Sequence, residues 1–203
     1  MVKYQAIVFD LGNVVINYSF DNTFYYWAKV SGCDVNMIKQ KFEFDEIYRR
    51  FEKGEIKPDI YRKNVLEKLG LHLNEVEFDN GWNQIYLDLT SGIEQLLRDL
   101  KSRFRLVALT NTNEIHANHW KIKYASMLSN FEKVFCSHEI KARKPEKEVF
   151  KIVLNYLQLK PNYVVYLDDR YENIKSASEI GIKSILVNSP HQIIRELQIL
   201  GII

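Results

Sequence analysis

Short unbroken apolar runs occur near the start of the chain and again through its second half, and a stretch of different texture lies between them. Ala6-Ile7-Val8-Phe9, Leu106-Val107-Ala108-Leu109, Val134-Phe135-Cys136, Tyr163-Val164-Val165-Tyr166-Leu167 and Ser184-Ile185-Leu186-Val187 have the β-branched and aromatic content of strands covered on both faces. Helical periodicity separates them. Ile93, Leu96, Leu97 and Leu100 predict a helix over residues 92–101 with Ser91 as N-cap, and Val149, Ile152, Val153, Tyr156 and Leu157 predict another with Pro145 in its first turn. Strand and helix in alternation imply right-handed crossovers and a doubly wound, mostly parallel, Rossmann-like α/β sheet.

Between residues 18 and 88 the apolar positions repeat every three or four residues: Phe20, Phe24, Trp27 and Val30, then Phe44, Ile47, Tyr48 and Phe51, then Ile60, Val65, Leu66 and Leu69. No strand is expected there. The predicted organisation is an α/β core of residues 1–17 and 89–203 with an all-α insertion, residues 18–88. Because the insertion follows the first strand, it belongs over the carboxyl ends of the sheet, where open α/β folds bind ligands, as a cap or lid.

Composition narrows the setting. With 203 residues, 28 Lys plus Arg against 26 Asp plus Glu and a net charge of +2, the chain has no global field to attract nucleic acid or anionic lipid. Two cysteines, Cys33 and Cys136, are too few for a disulfide scaffold or a zinc ribbon. The first residues lack the pattern of an export signal, and no apolar stretch approaches a membrane span. A soluble, cytoplasmic protein with no membrane or nucleic-acid partner is expected, as monomer or dimer.

Three predicted strands end in polar residues: Asp10 after Phe9, Thr110 and Asn111 after Leu109, and Asp168 and Asp169 after Leu167. Parallel strands bring these ends to one edge. Carboxylates crowded there oppose one another's ionisation unless a cation is present, and an all-oxygen cluster without His or Cys fits Mg²⁺ better than zinc or copper. Magnesium so held usually engages phosphate. Thr110, Asn111 and Lys144 supply a hydroxyl, an amide and a cation for that anion, and Asp10 could attack phosphorus to form an aspartyl phosphate.

Taken together, Phe9-Asp10-Leu11-Gly12-Asn13-Val14, Leu109-Thr110-Asn111-Thr112-Asn113, Arg143-Lys144-Pro145 and Leu167-Asp168-Asp169 with Asn173 resemble the four motifs of the haloacid dehalogenase superfamily. The nearest branch is that of sugar-phosphate phosphatases of the α-D-glucose-1-phosphate phosphatase type, with a helical cap; the phosphatase domain of soluble epoxide hydrolases is also similar. The resemblance implies Asp10 as nucleophile and metal ligand, with the Gly12 carbonyl and Asp169 completing the protein's direct Mg²⁺ ligands and Asp168 acting through metal-bound water. It further implies phosphoryl binding by Thr110, Asn111 and Lys144, and a small phosphorylated substrate. Asn173 would orient Lys144.

One position departs from the pattern: many phosphatases of this superfamily carry an acid/base Asp two residues after the nucleophile, where this chain has Gly12. Such catalysis contributes roughly 10²- to 10⁴-fold, or about 3–5 kcal/mol. Leaving groups that depart easily, such as the anomeric oxygen of a sugar 1-phosphate, should then be favoured. The alternatives are a dehalogenase, against which paired Asp168 and Asp169 argue, and a non-catalytic phosphate- or partner-binding relative. Three further features have ordinary readings: the run Lys141-Ala142-Arg143-Lys144 as a solvated basic face or weak nucleic-acid patch, His116 and His119 as surface or packing histidines, and Phe24 to Trp27 as cap core.

Overall fold

The computed structural model describes residues 4–203. A five-stranded parallel sheet in the order β5-β4-β1-β6-β7 forms its centre: β1 (Ala6–Phe9), β4 (Arg105–Thr110), β5 (Lys133–Cys136), β6 (Val164–Asp168) and β7 (Lys183–Leu186). All five predicted strands are present. Each is short and apolar because both faces are covered. Ile7, Phe9, Leu106, Ala108, Val165 and Leu167 belong to one core layer, and Ala6, Val8, Val107, Leu109, Val164 and Tyr166 to the other.

The helices α6 (Ile93–Lys101), α7 (Glu114–Lys123), α8 (Ala125–Leu128), α9 (Ser137–Ile140), α10 (Lys147–Leu157), α11 (Tyr171–Glu179) and α12 (Pro190–Ile199) connect or follow these strands. Two helix starts differ from expectation. Gly92, not Ser91, is the N-cap of α6, because a left-handed residue (φ 76°) turns the chain there. Pro145 precedes α10 rather than opening it, since the helix begins after Glu146.

Five helices follow β1: α1 (Phe20–Ser31), α2 (Val35–Lys41), α3 (Glu46–Glu52), α4 (Pro58–Leu69) and α5 (Glu75–Trp82). They share a core of their own, built on Trp27, Phe51, Tyr61, Phe78 and Trp82. Trp27 and Trp82 stack with centroids 5.7 Å apart and planes 3° from parallel. Gly81 permits this approach: a Cβ there would lie 2.3 Å from Trp27 Cδ1. Phe24 and Trp27 are buried in this core as expected, while Tyr25 is exposed.

The insertion is not wholly helical. A two-stranded antiparallel ribbon, β2 (Ile16–Tyr18) with β3 (Tyr86–Leu89), forms its stem, so strand residues lie inside the stretch read as helical. Their short, half-exposed pattern carries no strong period. No helix among the described residues is long and apolar enough to cross a membrane.

His116 joins the insertion to the core. Its ring is buried, stacks on Trp82 at 4.7 Å, and places Nε2 3.0 Å from the Trp82 carbonyl and Nδ1 3.1 Å from the Asn113 amide. It is a packing histidine. Burial pushes its pKa down to about 3, so the folded protein keeps it neutral where the unfolded chain protonates near 6.5. This contribution to stability is complete above about pH 6.5 and is lost as pH falls towards 3. Urea unfolding at pH 7 and pH 5 should show His116→Gln losing about 2 kcal/mol less than wild type across that interval; equal losses would contradict this origin.

Candidate active site

The carboxyl ends of β1, β4 and β6 meet under the insertion. Asp10 continues the alternation of Ala6 and Val8, and Asp168 that of Val164 and Tyr166, so both carboxylates follow from strand periodicity. After Asp10 the chain turns tightly: Val15 N and Ile16 N both donate to the Leu11 carbonyl at 2.9 and 2.8 Å, and Asn13 takes a left-handed φ of 54°.

Lys144 is the centre of the site. Only 2% exposed, it lies 2.7 Å from Asp10 Oδ1 and 2.7 Å from Asp168 Oδ2. Burial opposes its charge, but the two carboxylates overcome this and hold its pKa above the usual lysine range. Asn111 fixes the backbone below it: Lys144 N donates to Asn111 Oδ1 at 2.8 Å, and Asn111 Nδ2 donates to the Lys144 carbonyl at 2.9 Å. The Asn111 amide, expected to face phosphate, is therefore occupied.

Asp168 is saturated. Its Oδ2 accepts from Lys144 Nζ, from the Tyr166 hydroxyl and from Asn173 Nδ2 at 3.0 Å, while Oδ1 accepts from Arg170 N at 2.8 Å and Asn173 Nδ2 at 2.9 Å. Burial works against its ionisation, but Lys144 and these donors hold its carboxyl below the ordinary range. Asn173 thus reaches Lys144 through Asp168 rather than touching it. Tyr166 gave no signal in sequence, being one apolar-run residue among five.

The other two acids behave differently. Asp10 accepts from Leu11 N at 2.7 Å through the same Oδ1 that meets Lys144. Burial pushes its pKa up to about 7 against the pull of Lys144, and Asp168 and Asp169 push the same way. Asp169, half-buried, is likewise raised by burial and by Asp168, and accepts from Asn13 Nδ2 at 3.3 Å. One oxygen from each of Asp10, Asp168 and Asp169 lies within 4.8 Å of the others. This donor set suits a hard divalent cation, whose charge would relieve the resistance to ionisation.

Asp10, Lys144 and Asp169 line a cavity of about 700 Å³, along with Gly12 and Thr110 from the core and Tyr18, Phe44, Tyr48, Arg49 and Glu52 from the insertion, while Asp168 lies buried behind Lys144. The site residues expected from sequence therefore share one pocket or its immediate support. Glu52 and Arg143 were not expected in it. Glu52 on α3 is 4% exposed and accepts from Arg143 Nη2 at 2.8 Å and from the Tyr48 hydroxyl at 3.0 Å. The basic run is consequently no open patch: Lys141 Nζ donates to the Gly54 carbonyl at 2.8 Å, Arg143 pairs with Glu52, and Lys144 is buried.

An α/β sheet with acidic strand ends, a buried lysine and a helical roof is consistent with a hydrolase. The chain belongs to the haloacid dehalogenase-like hydrolase family, which it matches over residues 4–181. It is similar to D-ribitol-5-phosphate phosphatase from Bacteroides thetaiotaomicron, 22% identical over 186 residues, covering 89% of this chain and 90% of that protein. It also resembles a family enzyme from the same organism, solved in complex with magnesium and inorganic phosphate. That likeness has a TM-score of 0.81 at 29% identity, covering 92% of this chain and 96% of the other. Flavin mononucleotide hydrolase 1 of Arabidopsis thaliana is 29% identical over 208 residues, covering 98% of this chain and 79% of that protein.

The saturation of Asp168 separates it from its neighbour. Asp168→Ala strands Lys144 beside a single carboxylate and should lower the unfolding free energy by about 3–5 kcal/mol. Asp169→Ala, which removes no partner of Lys144, should cost no more than about 1 kcal/mol. Denaturant titration of both metal-free variants checks this, and equal losses would contradict it.

Proposed function

We propose that the protein is a Mg²⁺-dependent phosphatase of small phosphorylated metabolites, with sugar phosphates the leading class, working through an aspartyl phosphate on Asp10. The observation that carries this is the Asp10–Lys144–Asp168 chain beside Asp169, with three carboxylate oxygens within 4.8 Å of one another. Ribitol 5-phosphate hydrolysis in one relative, and magnesium with phosphate in the structure of another, support the same reading.

Asp10 and Asp169 would hold Mg²⁺ directly, with the Gly12 carbonyl, and Asp168 through water, its own oxygens being committed to Lys144, Tyr166, Arg170 and Asn173. When bound, the ion supplies charge neutralisation for phosphate and for the acids around it. Lys144 keeps one oxygen of Asp10 tethered, while Asp10 Oδ2 has no hydrogen bond among the described residues and is free to attack. Thr110 and Asn111, at the end of β4, line the cavity and would offer a hydroxyl and a backbone N–H to the transferring group. Arg49, Glu52 and the aromatic rings of the insertion surround the organic part and exclude water. Aromatic walls with a few charged groups suit a polyol, whose C–H faces stack on rings while its hydroxyls find ionic partners.

Dehalogenation is disfavoured because Asp169 would then stand beside Asp168 and Asp10 without a cation. The wild-type protein should hydrolyse p-nitrophenyl phosphate with Mg²⁺ and lose this with EDTA, and Asp10→Asn should lower turnover at least ~10³-fold with the fold kept. Halide release from 2-haloacids without metal, or phosphate binding without turnover, would overturn the proposal. Among sugar esters, glucose 1-phosphate should be hydrolysed faster than glucose 6-phosphate, the anomeric oxygen being the better leaving group; equal or reversed rates would contradict that preference.

A further inference from the structure

Gly12 owes its identity to a side chain six residues further on, not to its backbone. It does not have the left-handed φ of six other glycines in the chain. A Cβ built on it would instead lie 2.7 Å from Cε1 and 3.2 Å from Cδ1 of Tyr18, so any side chain there would have to displace the ring. The Tyr18 ring therefore fills the space beside the tip of β1 that a residue at position 12 would occupy. It is held there from three directions. Its backbone N donates to Asn13 Oδ1 at 3.3 Å, and the Asn13 amide reaches Asp169 at 3.3 Å. Its ring packs edge-on against Phe20 at 6.0 Å, and its strand position pairs with Tyr86. The ring lines the cavity within electrostatic reach of Asp10 and Asp169, and its hydroxyl makes no hydrogen bond among the described residues.

We propose that Tyr18 is the residue against which the departing group of the substrate is placed, its hydroxyl donating a hydrogen bond to the leaving oxygen, and that Gly12 is the clearance this ring requires. The proposal rests on the phosphatase reading. The hydroxyl of this half-buried ring has no internal partner and faces the same cavity as Asp10, so it is available to a substrate oxygen bound there. No net proton transfer is required of it. Lys144 is committed to Asp10 and Asp168, and Arg143 to Glu52, so neither is free for this role.

Two measurements on the full chain test the pair. In the first, Gly12→Ala and Tyr18→Ala are combined in a thermal-unfolding cycle without metal. Gly12→Ala should lower the melting temperature when the ring is present and leave it unchanged in the Tyr18→Ala background; equal losses in both backgrounds would overturn the clearance role. This arm needs no catalysis. In the second, kcat/KM is measured with Mg²⁺ on phenyl phosphate and p-nitrophenyl phosphate, similar in shape but different in leaving-oxygen basicity. Tyr18→Phe keeps the ring and removes the donor, so it should lose roughly tenfold more on phenyl phosphate than on the nitro ester. A uniform loss would assign Tyr18 to packing alone, overturning the leaving-group role. A wild-type protein inactive on both esters would remove the phosphatase reading and the hydroxyl's role with it, while the thermal cycle still decides the steric pair.

Discussion

An ammonium group almost shut off from water must be matched by carboxylates, and Lys144 meets two at 2.7 Å. Taking three charges into a sheet edge is expensive, and one cation between two acids repays it only when the remaining lone pairs are also satisfied. Tyr166, Arg170 N and Asn173 do this for Asp168, Leu11 N adds a second donor to the Asp10 oxygen that meets Lys144, and Asn111 fixes the lysine's own backbone. Two acids of the site stay less fully matched. They are Asp10, held through one oxygen only, and the half-buried Asp169, the two carboxylates whose charge a divalent cation would neutralise.

The same loop also carries the insertion. Residues 141–146 hold Lys144 below and touch the end of α3 and the turn after it above, through Lys141 to the Gly54 carbonyl, Arg143 to Glu52, and Glu146 to Lys53 at 3.3 Å. Glu52 is nearly inaccessible, so its pairing with Arg143 is one that cannot be broken without leaving a buried charge. Roof and buried lysine are thereby joined through a few consecutive residues, so the sheet edge and the helices over it share this physical support.

Much of this was legible in the chain. Covered parallel strands leave unbroken apolar runs, and a polar residue directly after such a run marks a strand end at the ligand-binding edge; that signal found Asp10, Thr110 and Asp168. It could not find Glu52 or Arg143, because their meeting depends on how α3 docks against α9 and the loop after it, a tertiary contact without sequence period. The ribbon of Ile16 to Tyr18 with Tyr86 to Leu89 was missed for a related reason: short half-exposed strands pair through backbone bonds that composition does not record. Gly12 was read as the absence of an acid, whereas the structure shows what stands in the space. For Asn111 the sequence offers both a side-chain amide and a backbone N–H to phosphate, and only the fold reveals that the amide bonds the Lys144 backbone.

Asp10 and Asp169 are held in a geometry whose unfavourable charge a divalent cation would relieve. The most direct measurement is the melting temperature of the wild-type protein and of Asp169→Asn as Mg²⁺ is added without substrate. Binding to the folded state alone raises stability by mass action, about 2.7 kcal/mol at a hundredfold excess over the dissociation constant. A Mg²⁺-dependent rise in wild type, lost in Asp169→Asn, is the predicted result; no rise at millimolar Mg²⁺, or the same rise in both proteins, would contradict it.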